Sequence, residues 1–494
     1  MAGGTNMNNA EYLLSKTSFI KFEQCPKAFY LYKKHPYLRD KLSVDKQLTF
    51  KRGHDVGFFA QQLFPGGTDV SLKTKNYKQA AALTAELIEG GAPVIYEATF
   101  IHNGALVMAD ILENNNGVYT AYEVKSSLKI SEVYIRDACL QYYVIKNCLP
   151  ALNDLFLVTL NGDYVLHDEP EPKKMFKRRS MRERAEKNFA YFESQLSRAR
   201  EVIEMNAVPN IGIGPHCYKP YQCDFYGTCW KDVITPDSLF NIPLVDRAKL
   251  FELYEAGARK IEDVPNETLG KQHLVSIKEA LQKNEPVADT DSIQRFVASL
   301  SAPLMAMDME IWNPAIPQIK GTGPFEQIPF LACFYDGQEF EHVFVSHNGD
   351  ERYEFTQQLL AISQQAATVL VYDKTMEVAA IHKLMELFPQ HGPELEELKN
   401  KLRDVFEIFL TAAYYDPGLK NNFSLKGVSN ALLGCGTLSE ISSGLEAMNL
   451  FDRYRLEPDA EQKLILKQKL TEYCNYDCLY TYELVSFLRK KTEA

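Results

Sequence analysis

The chain has 494 residues, 46% of them hydrophobic and 24% charged, with a formal net charge of −11. That balance supports folded cores and excludes an intrinsically disordered polypeptide, and the length predicts about three domains. The acidic charge counts against a general nucleic-acid coat protein, and no apolar run approaches the roughly 20 residues that cross a bilayer, so no membrane partner is expected.

Residues 15–35 read as helical, with Thr17 or Ser18 as N-cap and a Cys25-Pro26 step inside. Helices are predicted over 53–64 and 76–90. Strands follow at Val94–Phe100, Ala105–Leu112 and Val118–Lys125, the last two joined by the turn Glu113-Asn114-Asn115-Asn116-Gly117. A helix over 132–147 and a strand Leu155–Leu160 complete an α/β pattern with a mixed sheet. Residues 170–207 read as a charged helical stretch. Within it Lys173, Lys174, Lys177, Arg178, Arg179, Arg182 and Arg184 form a basic run that fits either a phosphate backbone or a solvated helix face. Residues 236–290 form a small helical unit in which Leu253-Tyr254-Glu255-Ala256-Gly257 resembles a helix-hairpin-helix turn. A second α/β region is predicted from about 300, with strands at 303–311, 328–335, 340–346 and 368–372. Three domains result: 1–232, a helical linker 233–292, and 293–494. The N-terminus Met1-Ala2-Gly3-Gly4 has no basic region followed by an apolar one, so a cytoplasmic protein is expected.

Ten cysteines in a cytoplasmic chain argue against a disulfide framework. Cys139, Cys148, Cys333, Cys435, Cys474 and Cys478 read as core or semi-buried thiols. Cys217, Cys223 and Cys229 are evenly spaced in a Pro- and Gly-bearing segment. Soft thiolates in such a cluster fit zinc or an iron–sulfur centre, and Cys25 is the best fourth ligand. His216 is an alternative ligand for a zinc site.

Glu123 and Lys125 lie two apart on one strand and share a face. Asp110, on the preceding strand, can meet them across the pair. Two carboxylates there suit Mg²⁺ or Mn²⁺, which lowers the pKa of a bound water and stabilises phosphoryl charge. Glu97 is a further acid beside this set. Asp308 and Glu310 share a face of a later strand, and Glu377 follows another strand with Asp373 as its rival. Tyr473 and Asp477 are four apart on a helix, hence on one face.

These motifs carry resemblances. Ala109-Asp110-Ile111-Leu112 and Tyr122-Glu123-Val124-Lys125-Ser126-Ser127 are similar to the motifs of RecB-like PD-(D/E)XK nucleases. The resemblance implies a restriction-endonuclease-like mixed sheet. It also makes Gln141, in Asp137-Ala138-Cys139-Leu140-Gln141-Tyr142-Tyr143, a site residue. His54 falls near the place where relatives put a metal-ligating His. One cysteine before the nuclease core and three after it resembles AddB-type helicase-nucleases and CRISPR adaptation nucleases. That resemblance implies a 4Fe–4S cluster on Cys25, Cys217, Cys223 and Cys229. The set Asp308-Met309-Glu310, Glu377, and Tyr473 with Asp477 resembles DEDD exonucleases on an RNase H-like α/β domain, with Glu377 where most members have Asp. There the acids bind metal and the Tyr positions the attacking water. Asn421-Asn422-Phe423-Ser424-Leu425-Lys426 is similar to the segment before their last motif. The expected protein, from a bacterial or phage family, is a metal-dependent DNase acting at ends or on single strands. The alternatives are an RNA exonuclease and an inactive nucleic-acid-binding or assembly protein with a structural metal.

Overall fold

The structure, a computed structural model, describes residues 13–345, 349–436 and 439–493. The fold is mixed α/β, as expected, and the chain divides into two compact units. Residues up to Trp230, with Ala315–Pro324, form the first; Lys231–Pro314 with Phe325 onward form the second. The helical segment 233–292 lies within the second unit. Among the described residues no helix is long and apolar enough to cross a membrane.

The first unit is built on β1 (Leu14–Ser15), β2 (Thr68–Asp69), β3 (Val94–His102), β4 (Ala105–Asn115), β5 (Val118–Lys125), β6 (Leu152–Leu160) and β7 (Phe176–Ser180). Neighbours run β2-β3-β4-β5-β6-β7, with β1 pairing β4. The β4–β5 hairpin closes on Asn116 (φ 53°) and Gly117 (φ 85°), two left-handed residues in sequence, so the Asn-Gly pair makes the tight turn its chemistry favours. Helices α1 (Lys16–Gln24), α2 (Pro26–Lys34), α3 (Val44–Ala60) and α4 (Tyr77–Glu89) precede or flank the sheet. Helix α5 (Glu132–Cys148) carries the chain from β5 to the parallel β6, and Ile135 and Asp137–Ile145 are all buried. A helix buried on every side is a core helix, and α5 packs against β3, β4 and β6.

Several expectations are corrected. The 15–35 helix breaks at Cys25, which ends α1 and starts α2, because Pro26 cannot continue the ladder of α1. Its N-cap is Ser15, whose hydroxyl accepts the Ser18 amide, not Thr17 or Ser18. Helix α3 starts at Val44, capped by Ser43, well before residue 53. The basic run is not one helix: Lys177, Arg178 and Arg179 lie on β7 at the sheet edge, between the short helices Pro172–Met175 and Arg182–Glu186. The Arg178 guanidinium stacks 5.1 Å from the ring centres of Phe64 and Tyr122.

The second unit holds β8 (Val287–Ala288), β9 (Leu304–Trp312), β10 (Ile328–Tyr335), β11 (Phe340–Phe344), β12 (Thr368–Val371), β13 (Leu402–Asp404) and β14 (Tyr414–Tyr415). Five of these form one sheet in the order β11-β10-β9-β12-β13. The β9–β10–β11 meander is antiparallel; β12 runs parallel to β9, and β13 to β12. The helix Ala460–Glu493 packs across β9 and β10. Its buried side chains Leu470, Cys474, Cys478, Thr481, Leu484 and Leu488 recur at helical spacing. In the 236–290 segment, Gly257 turns the chain at φ 106° after the helix Arg247–Glu255, a conformation that favours glycine.

Candidate metal centres

The first acidic group forms where β4 parts from both neighbours. The β3–β4 ladder passes from Tyr96↔Ile111 to Ala98↔Ala109 and skips Glu97 and Asp110. Glu97 has φ 54°, a left-handed strain in mid-strand of the kind that collects at functional sites. The β4–β5 ladder ends at Ile111↔Tyr122, and beyond it Asp110 Oδ2 accepts the Val124 amide at 2.6 Å.

Glu123, 1% exposed, is the centre of the group. Its Oε1 accepts Lys125 Nζ at 2.6 Å and Lys16 Nζ at 2.8 Å. Its Oε2 is buried with no hydrogen-bond partner. Lys125 Nζ also donates to Asp137 Oδ2 at 2.7 Å, and Gln141 Nε2 donates to Asp137 Oδ1 at 3.3 Å. The Gln141 Oε1 atom is likewise buried and unpartnered.

Burial pushes Asp110 up to about 8, with the Glu123 charge adding to it. Burial also lifts Glu97 to about 7, against the pull of Lys16. Glu123 pays the same desolvation, yet Lys125 and Lys16 hold it down at about 2. The group therefore contains one carboxylate held ionised by two lysines and two whose burial outweighs the pull of the nearby lysines. The buried orphan oxygen and these two acids fit a hard divalent cation.

The structure thus brings Glu97, Asp110, Glu123, Lys125 and Gln141 together. His54 is exposed on α3 and takes no part in their hydrogen-bond network. Sequence reasoning missed Lys16 and Asp137 as members. Asp137 stands four residues before Gln141 on one helix face, so its spacing carried a signal. Lys16 carried none, because it reaches Glu123 across 107 residues of chain.

The four cysteines meet at the other end of α1. Cys25, Cys223 and Cys229 share one small apolar cluster with Ala28, Leu31 and Phe225. Cys25, Cys223 and Cys229 each feel the charge of Cys217, and burial pushes all three thiols up, Cys223 to about 11. The segment is stitched to the N-terminal helices. Gln24 Nε2 donates to the carbonyls of His216 (2.8 Å) and Tyr221 (2.7 Å). Asp224 takes Lys21 and Arg39, and Asp40 Oδ2 accepts the Gly227 amide at 3.1 Å. Tyr221, between the cysteines, lies close enough to the first acidic group to feel Lys125 and Asp137. Of the remaining cysteines, Cys148 is exposed at the end of α5, which corrects its expected burial.

In the second unit Asp308, Glu310 and Asp477 each bring a carboxylate oxygen within 4.8 Å of the others. Asp308 and Glu310 alternate with Met309 on β9, and Asp477 comes from the helix Ala460–Glu493. Glu377, 5% exposed, stands in the first turn of the helix Thr375–Leu387 that follows β12. Glu377 Oε2 and Asp477 Oδ1 are buried and unpartnered. Burial and then the neighbouring charges raise Glu310, Glu377 and Asp477 well above the carboxylate range, and burial lifts Asp308 to about 6. Crowded acids without a cation are driven to protonate; a divalent cation would remove that cost.

Three supports of this group were given no part in it from the sequence, although Lys426 closes the segment Asn421–Lys426 singled out there. Cys474, read as a core thiol, donates to Asp308 Oδ2 at 3.0 Å. Lys426 lies 4.5 Å from the Tyr473 ring centre and draws down Asp308, Glu310 and Asp477. Asp404 on β13 accepts the amides of Asp373 (2.9 Å), Lys374 (3.2 Å) and Phe406 (3.0 Å). It thereby fixes the β12 connection, where Asp373 sits at φ 59°. Asp373 Oδ1 accepts the Thr375 hydroxyl at 2.6 Å, at the first residue of the helix that carries Glu377.

No curated protein matches the chain. Residues 305–424, which hold Asp308, Glu310, Glu377 and Asp404 but not Tyr473 or Asp477, match the family described as a domain of unknown function, DUF2779.

Proposed function

We propose that the chain is a metal-dependent nuclease that hydrolyses phosphodiester bonds of DNA, at ends or on single strands, with two candidate sites. The observation that carries this reading is Glu123. One of its oxygens is held by Lys125 and Lys16, and the other is buried without a partner beside Asp110. A surface ion pair would leave neither a buried orphan oxygen nor an acid lifted to about 8.

In the first site Asp110, Glu123 and Glu97 would hold Mg²⁺ or Mn²⁺. Such an ion supplies a water of lowered pKa and charge stabilisation at phosphorus. Lys125 stays protonated and offers positive charge to the phosphodiester. Asp137 holds Lys125 in place, and Gln141 orients Asp137. The meander with a crossover helix bearing Gln141 supports the restriction-endonuclease-like, RecB-like reading.

In the second site Asp308, Glu310, Glu377 and Asp477 would hold the cation, and the buried Tyr473 phenol keeps its proton and can orient a water. The 11-10-9-12-13 strand order, with an antiparallel meander and two parallel strands, supports an RNase H-like, DEDD-type exonuclease reading. Glu310 and Asp477 face one another from strand and helix, as that reading requires.

Cys25, Cys217, Cys223 and Cys229 would hold a 4Fe–4S cluster that clamps the N-terminal helices to the segment after the core. Cys25, Cys223 and Cys229 share one apolar cluster, and the charge of Cys217 reaches all three, which supports a common soft-donor site with tetrahedral zinc as the alternative occupant.

The deciding experiment uses protein purified anaerobically and end-labelled single- and double-stranded DNA, with RNA alongside, in Mg²⁺ or Mn²⁺. Glu123→Ala and Asp308→Ala each should remove part of the cleavage, and the double variant all of it. Unchanged cleavage in the double variant would sink the proposal. Cleavage confined to RNA would move the substrate, not the sites.

A further inference from the structure

Lys16 is a half-buried cation that the motif Asp110, Glu123, Lys125 does not call for. It is the first residue of α1, directly after β1, and its side chain is 27% exposed against 2% for its partner Glu123. It shares Glu123 Oε1 with Lys125, so two ammonium groups converge on one oxygen while Oε2 is left free. Its charge also reaches Asp110, Asp137 and Glu97. Around the site stand four carboxyl groups, Glu97, Asp110, Glu123 and Asp137, against the two ammonium groups of Lys16 and Lys125, so the formal charges leave two negatives to be matched. One divalent cation balances them; two would overshoot.

We propose that Lys16 is a charge-setting positioning residue of the first site. It fixes Glu123 so that Oε2 is the oxygen left for the cation. It also supplies positive charge that a second metal ion would otherwise bring. The site therefore takes one divalent cation, and Lys16 with Lys125 offsets the phosphodiester. This inference rests on the nuclease reading of that site.

The consequence has opposite signs for two ligands. A cation beside a cation weakens metal binding, and a cation beside a phosphate strengthens nucleic-acid binding. A side chain needed only for folding would weaken both.

The test uses the full chain, purified anaerobically, with Asp308→Asn and Asp477→Asn silencing the second site. Calorimetric titration with MnCl₂ should give one Mn²⁺ per chain, abolished by Glu123→Gln. Adding Lys16→Met should tighten Mn²⁺ about tenfold or admit a second ion, consistent with the strength of charge pairs at this range. The same variant should bind a single-stranded oligonucleotide in Ca²⁺ more weakly. Lys16→Arg should stay near the background in both assays, and Lys16→Gln, which keeps a hydrogen-bond donor, should follow Lys16→Met. Two Mn²⁺ in the background, both sensitive to Glu123→Gln, would overturn the inference and leave the nuclease reading standing. So would Mn²⁺ affinity that is unchanged or weaker in both Lys16→Met and Lys16→Gln at an unchanged melting temperature. Mn²⁺ binding indifferent to Glu123→Gln would overturn both.

Discussion

Asp110 Oδ2 accepts the backbone amide of Val124 at 2.6 Å, at the point where the β4–β5 ladder has already ended. One carboxylate thus closes the splayed hairpin and still faces the site. The two roles separate by substitution. Asp110→Asn keeps an acceptor for Val124, so stability should stay within about 1 kcal/mol; Asp110→Ala orphans a partly buried amide and should cost about 1–3 kcal/mol. Both should lose the Mn²⁺-dependent rise in melting temperature contributed by the first site. Denaturant titration with and without Mn²⁺ reads both effects. An Asp110→Asn variant that keeps its metal response would remove Asp110 from the ligand set.

Asp404 acts on the second site at one remove. Its carboxylate accepts three amides and holds the connection in which Asp373 is left-handed. Asp404→Ala leaves those donors without a partner, for an expected loss of about 2–4 kcal/mol. Because Glu377 hangs from the same connection, Mn²⁺ binding at the second site should weaken more than the loss of stability alone explains. Asp404→Asn, retaining one acceptor oxygen, should fall between. Equal Mn²⁺ affinity in wild type and Asp404→Ala would confine Asp404 to folding.

Where local chemistry decides, the sequence was legible. The β3–β4–β5 meander follows from the strand-forming runs and the turn ending in Asn116-Gly117, and α5 was expected over 132–147, where it lies within a residue at its C-terminal end. The acids of both groups were legible through their spacing on strands and helices. The rest depends on distant partners. A run rich in Lys and Arg reads as a helix, yet residues 176–180 become an edge strand because β6 offers an unpaired rim. Lys16 is an ordinary helix-start residue until β1 pairs with β4 and brings it over Glu123. Cys474 looks like one more apolar-face thiol until β9 places Asp308 against it. Residues 346–348 and 437–438 lie outside the described residues, as does the predicted end of the strand at 346.

The cysteine centre gives a spectroscopic prediction. Anaerobically purified protein should be coloured and contain iron and acid-labile sulfide. Cys25→Ser should lose both, as should Cys223→Ser, since each removes a thiolate ligand. Cys139→Ser and Cys148→Ser should keep the colour, because Cys139 lies on α5 in the main core of the first unit, apart from the Cys25 cluster, and Cys148 is exposed at the end of that helix. Loss of the centre should also loosen the segment that holds Tyr221 near Lys125, so cleavage at the first site should fall with the colour. A colourless wild type holding stoichiometric zinc would overturn the assignment.

Asp224 gives the acid limb of stability. Burial alone would raise its pKa, but Lys21 first, then Arg39 and Lys46, hold it below the ordinary Asp value. A depressed folded-state pKa means that the folded chain binds the proton less readily than the unfolded one. The stabilisation is therefore fully present above the unfolded value near about 4, and it is lost as pH falls from there through the lower folded value. Asp224→Asn should lower stability at neutral pH by roughly 1 kcal/mol, discounted because Arg39 and Lys46 are partly solvent-exposed. It should also flatten the drop in melting temperature below about pH 4, since one proton fewer is taken up on unfolding. The paired variant Lys21→Met should flatten the same limb, because it releases the principal charge on Asp224. A melting-temperature profile between neutral pH and about pH 3 that runs parallel for wild type and Asp224→Asn would show that the Asp224 pairs do not couple the cysteine segment to α1.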